Sequence, residues 1–87
     1  MGKWDKLVAR IYGGRNDANI SFEELCGLLV HFGFELHIRG SHHLFRKIGV
    51  VEKINLQKDG SQAKAYQVRQ VRDVILKYQL GGDALHG

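Results

Sequence analysis

Two adjacent histidines, His42 and His43, sit in the tetrapeptide Gly40-Ser41-His42-His43, with Arg39, Arg46 and Lys47 around them. Histidine is the side chain whose ordinary pKa lets it give or take a proton near neutrality. Imidazoles inside a positive patch suit a polyanion whose phosphodiester is held and cut. Such chemistry needs a proton-transfer group and cations that stabilise the charge gathering on phosphorus. The competing reading is structural, because a lone histidine beside a sheet face is commonly a hydrogen-bonded structural residue. His37, His42, His43 and Cys26 lack zinc-site spacing, and adjacent residues on a strand point to opposite faces, so no metal or cofactor is expected.

The elements that position these groups are legible in the pattern. Residues 34–39 alternate, with Phe34, Leu36 and Ile38 on one face and Glu35, His37 and Arg39 on the other. Residues 42–48 form a second strand and Glu52 to Gln57 a third, with Ile54 and Leu56 inward. Gly40-Ser41 fits a two-residue type II′ hairpin. That turn sets Arg39 opposite His42, Ile38 opposite His43 and Leu36 opposite Phe45. His43 then shares the face that the helices cover, and His42 shares the open face with His37 and Arg39. A longer loop would swap the two roles.

Ahead of the strands, Ser21-Phe-Glu-Glu24 reads as a capping box opening a helix that runs to about Phe32, with Ile20 and Leu25 as a hydrophobic staple. Gly33 stops it. A further short helix is expected over 3–12, with Trp4, Leu7, Val8 and Ile11 on one side. It is followed by Gly13-Gly14 and a polar linker. Asp59-Gly60-Ser61 is a turn. A last helix is expected from about Tyr66 to Leu80, with Val68, Val71, Ile75 and Tyr78 inward, stopped by Gly81-Gly82 and followed by a flexible tail, 81–87. The result is an α+β sandwich, α-β-β-β-α, with an extra short N-terminal helix. Double-stranded-RNA-binding domains share that order.

Composition bounds the rest. Eighty-seven residues make one small domain, and an apolar share of 44% argues against disorder. The single cysteine, Cys26, excludes an intramolecular disulfide and fits a reducing compartment. No apolar run approaches the roughly 20 residues needed to span a bilayer, so no membrane association is expected and a cytoplasmic location is. The net charge of +4 is unevenly placed. Residues 1–33 balance Lys3, Lys6, Arg10 and Arg15 against Asp5, Asp17, Glu23 and Glu24, so the excess lies wholly in 34–87. A one-sided basic field favours an anionic partner, nucleic acid first, over a merely solvated surface. Arg69 and Arg72 lie three apart on the last helix, and Lys64 precedes it near its positive end. They serve either as phosphate contacts or as an exposed face with an Arg69–Asp73 ion pair.

Gly33-Phe34, Gly40-Ser41-His42-His43, Phe45 and the closing Val71-Arg72-x-x-Ile75-Leu76 helix together resemble the HicA family, small toxins of bacterial toxin–antitoxin pairs, over about residues 21–80. The resemblance implies a double-stranded-RNA-binding-like fold and a translation-independent mRNA interferase. It implies a HicB-type antitoxin as partner, covering the active surface. The family's active-site histidine ends the Gly-Ser-x-His motif, which falls on His43. Arg39, Ser41, His42, Arg46, Lys47, Lys64, Arg69 and Arg72 are then the candidate RNA contacts. The other reading is a non-catalytic module that binds double-stranded RNA or a protein.

Overall fold

A helix needs a face to bury, and α1 (Lys3–Gly13) buries Leu7, Val8 and Ile11 with Trp4 half-buried beside them. The computed structural model describes residues 2–80. Met1 and residues 81–87, with the expected Gly81-Gly82 stop and tail, lie outside the described residues. A short 3₁₀ turn, Asp17–Asn19, occupies what the sequence reads as linker. α2 (Phe22–His31) starts at Ser21, whose Oγ accepts from the Glu24 amide at 3.3 Å. Of the expected reciprocal box only this half is seen. Ile20 and Leu25 are both fully buried, as the staple requires.

Three antiparallel strands follow in the order β1 (Glu35–Arg39), β2 (His42–Lys47), β3 (Val50–Leu56). The register is the one the two-residue turn dictates: Leu36 opposite Phe45, Ile38 opposite His43, Arg39 opposite His42. Gly40 has φ 59 and Ser41 does not have positive φ, which is the type II′ pattern. Strand β3 begins two residues earlier than the sequence suggests, because Val50 pairs with Lys47 across a tight turn and the register shifts between Phe45 and Lys47.

The chain then makes a two-residue hairpin, β4 (Lys58–Asp59) and β5 (Gln62–Ala63), before α3 (Ala65–Tyr78). This hairpin does not stand alone. Phe22 N–H donates to Ser61 O at 3.1 Å and Ala63 N–H to Ile20 O at 2.9 Å, so it seals the start of α2. α3 ends two residues before the expected point. Gln79 takes a left-handed conformation and Leu80 N–H donates to Ile75 O at 3.0 Å, which satisfies the terminal carbonyls without glycine.

The whole is an α+β fold: an N-terminal helix, a central helix, an open three-stranded antiparallel sheet and a C-terminal helix. Phe45, Ile54 and Leu56 on one sheet face meet Leu25, Leu28 and Leu29 of α2 and Val68, Val71 and Ile75 of α3 in a single core. Leu7, Val8 and Ile11 join the same core, so the N-terminal extension is part of it rather than an appendage. Ile38 lies on the covered face yet is 61% exposed, because it sits at the end of the edge strand beyond the helices. No described helix is long and apolar enough to cross a membrane.

Candidate functional site

The β1–β2 hairpin separates the two histidines as strand alternation requires. His42 is exposed on the open face, and His43 is half-buried on the helix side. Phe22, the first residue of α2, meets His43 edge-on, with ring centroids 4.9 Å apart and planes at 89°. Quadrupoles favour that T-shape.

The ring nitrogens distinguish the pair further. His42 Nδ1 lies 3.3 Å from Asn55 Oδ1, and the Gln57 side-chain amide nitrogen lies 3.2 Å from each His42 nitrogen. The consistent arrangement has Nδ1–H donating to Asn55 and Nε2 accepting from Gln57. Gln57 Oε1 in turn accepts from Lys64 Nζ at 3.2 Å. His42 is thus tied into a chain of side chains. His43 is not: its Nδ1 is sealed from solvent with no hydrogen-bond partner. Buried polar atoms are nearly always paired, and an unpaired one costs about 1–3 kcal/mol.

His43 opens onto a groove lined by Ser41, Gln57, Lys58 and Lys64. Lys64 stands at the N-cap of α3 and brings its ammonium to the groove through Gln57. The Lys58 ammonium lies 5.8 Å from the centroid of the Phe22 ring. One imidazole at the groove wall, one hydroxyl and two ammonium groups can bind a phosphodiester and move a proton, through a nitrogen other than the sealed Nδ1.

The remaining expected contacts fall elsewhere. Arg39 and Arg46 project to the opposite sheet face, with His37, Leu44 and Lys53. Lys47 stands at the far end of β2, where its ammonium approaches Gly33 at the end of α2. Arg69 is exposed on α3, and the Arg69–Asp73 ion pair is not among those of the described residues. Arg72 is turned inward. Its Nε donates to Ile11 O at 2.7 Å and its guanidinium pairs with Asp17, so it faces α1 and not the groove.

Lys58 and Gln57 line the groove and Phe22 backs its histidine, although the sequence pattern does not single them out as site residues. Lys58 carried a signal, as a basic residue shortly before the last helix. Gln57 and Phe22 carried none, because their role depends on where β3 and α2 end in space. A buried glutamine, Gln67 at 1% exposure, supports them: its Oε1 accepts from the Gln57 backbone N–H at 3.1 Å, just where β3 stops. Cys26 is half-buried, and burial, with Glu23 nearby, pushes its thiol up to about 11 against the opposing pull of Lys58. A thiol so raised is a poor nucleophile. Among the described residues, no three His, Cys, Asp or Glu side chains gather as metal ligands.

Comparison of the chain with protein-family models, with curated proteins and with solved structures finds no match.

Proposed function

We propose that this chain is an endoribonuclease of HicA type, the toxin of a toxin–antitoxin pair acting on mRNA in the cytoplasm. The observation that carries the reading is the asymmetry of the histidines: His42 spends both ring nitrogens on neighbours, whereas the His43 ring lines a groove with two lysines and, with its Nδ1 sealed from solvent, leaves proton transfer there to Nε2. His43 acts as the acid–base group on the RNA 2′-hydroxyl or the departing 5′-oxygen. Lys64 and Lys58 bind the phosphate and offset the charge that develops on it. Ser41 hydrogen-bonds a non-bridging oxygen. Gln57 positions Lys64. A HicB-type antitoxin would silence the chain by covering this groove.

The test is cleavage of purified mRNA, with growth scored on induced expression. His43→Ala should lose about 10²–10⁴-fold in rate, the usual worth of one acid–base group. His42→Ala should keep most of it. Products should carry 2′,3′-cyclic phosphates. Cleavage by His43→Ala at the wild-type rate would sink the assignment.

A second reading is favoured by Lys58 and Lys64 lying just before and at the start of α3: a non-catalytic module that grips duplex RNA across the minor groove. It requires that the wild-type chain binds duplex RNA, cuts nothing and is indifferent to His43→Ala.

A further inference from the structure

The sheet face turned away from the helices has a feature that the groove does not use. Two adjoining depressions cross it and share His37, Arg46 and Lys53. One extends to Arg39 and Leu44, the other to the β2–β3 turn. Arg39, Arg46 and Lys53 have no ion-pair partner among the described residues. The nearby acids are engaged: Glu35, opposite Arg46 in the register, leans on His37 at 3.4 Å, and Glu52 is held by Tyr78 and Lys77. Arg46, at the register shift between Phe45 and Lys47, and Lys53 line both depressions, so like charges gather there and repel. A polyanion laid over this face would offset that repulsion.

We propose that the open sheet face is a second binding surface, for the phosphodiester backbone of a single-stranded nucleic acid. The proposal takes the RNA-acting reading above as its basis but is independent of cleavage. Arg39, Arg46 and Lys53 contact successive phosphates, and the imidazole of His37, between the two depressions, offers a flat ring for an unpaired base to stack on. A duplex would keep its bases hidden from that ring. Arg39 stands opposite His42 at the hairpin end, and His43 projects from the other side of the same turn. A strand held on the open face therefore reaches the groove by crossing one hairpin.

The experiment is fluorescence anisotropy with a labelled single-stranded oligoribonucleotide, on the His43→Ala chain so that the probe stays intact. Adding Arg46→Glu and Lys53→Glu should weaken binding at least about tenfold. It should also flatten the salt slope of log K by about 1.4, since each single-strand phosphate no longer neutralised removes about 0.7. If charge reversal unfolds the chain by circular dichroism, Arg46→Gln with Lys53→Gln should give the same direction. Unchanged affinity and slope in the folded variant overturns the proposal and leaves the role of His43 standing. Tighter binding of duplex than of single strand, or equal displacement by polyglutamate, also overturns it. Cleavage surviving in His43→Ala would instead remove the catalytic reading and leave this surface intact.

Discussion

Arg72 of α3 pairs with Asp17 of the 3₁₀ turn, 55 positions away, and the same guanidinium donates to the last turn of α1 through Ile11 O at 2.7 Å. Both side chains are largely shielded, at 18% and 14% exposure, so solvent screens the pair weakly. One side chain thereby fixes the N-terminal extension to the helix that closes the core.

Arg72→Ala should destabilise the chain by about 2–4 kcal/mol, since it strands the shielded Asp17 carboxylate and leaves Ile11 O only the Gly14 N–H. Arg72→Lys should recover only part of that, because a single ammonium cannot serve both acceptors in fork geometry. Chemical denaturation of both variants is the measurement, and equal stability of Arg72→Lys and wild type would show that charge alone suffices.

Gly27 of α2 lets the two N-terminal helices approach. A Cβ there would lie 2.7 Å from Trp4 Cη2, closer than real Cβ atoms come. Alanine improves helix propensity by about 1 kcal/mol, but overpacking costs about 1–3 kcal/mol. Gly27→Ala should therefore destabilise slightly and push the indole off its 5.5 Å stack on His31. Trp4 is the single tryptophan, so a red-shifted emission reports the displacement directly.

Gly40 has φ 59, and a Cβ there would meet nothing within 4 Å. The cost of Gly40→Ala is then conformational, about 1–2 kcal/mol for an L-residue in the left-handed region. D-alanine at the same position, introduced by chemical synthesis, should cost nothing. If both enantiomers destabilise equally, sterics rather than handedness is responsible.

Gln67→Leu should cost about 1–3 kcal/mol despite its better apolar match to the core, because the Gln57 N–H loses its acceptor as β3 ends. Loosening Gln57 should also loosen Lys64 and, under the proposed RNA cleavage, raise the apparent KM more than it lowers kcat. A change confined to stability would separate Gln67 from the groove.

The Glu52 carboxylate accepts from the Tyr78 hydroxyl at 2.6 Å and from Lys77 at 3.0 Å, and these two bonds, Tyr78 first, hold it below the usual carboxylate range. A carboxyl depressed in the folded state adds stability above its unfolded value, about 4.3. That contribution declines as pH falls toward the folded value and is gone below it. Wild type should therefore be more stable than Glu52→Gln near neutrality, and the gap should close in acid. Thermal melts across that range check it, and a gap constant with pH would contradict the linkage.

The residues by themselves determined a good deal. Alternation in Phe34–Arg39, the Gly40-Ser41 turn and the Ser21–Glu24 cap are nearest-neighbour properties, and a two-residue turn leaves one register open. Hence the order of the three helices and the three-stranded sheet, the pairing of Ile38 with His43 and the split of the histidines between faces were legible in advance, whereas the 3₁₀ turn and the β4–β5 hairpin were not. Tertiary structure alone decided how each ring nitrogen and each guanidinium is used. Asn55 and Gln57 reach His42 only because β3 runs beside β2, Phe22 reaches His43 only because α2 begins under the hairpin, and Arg72 meets Asp17 only because α1 and α3 share one core. A side chain as long as arginine or lysine can turn to either side of its element. Its destination is set by which distant acceptor is desolvated within reach, and spacing along the chain carries no record of that.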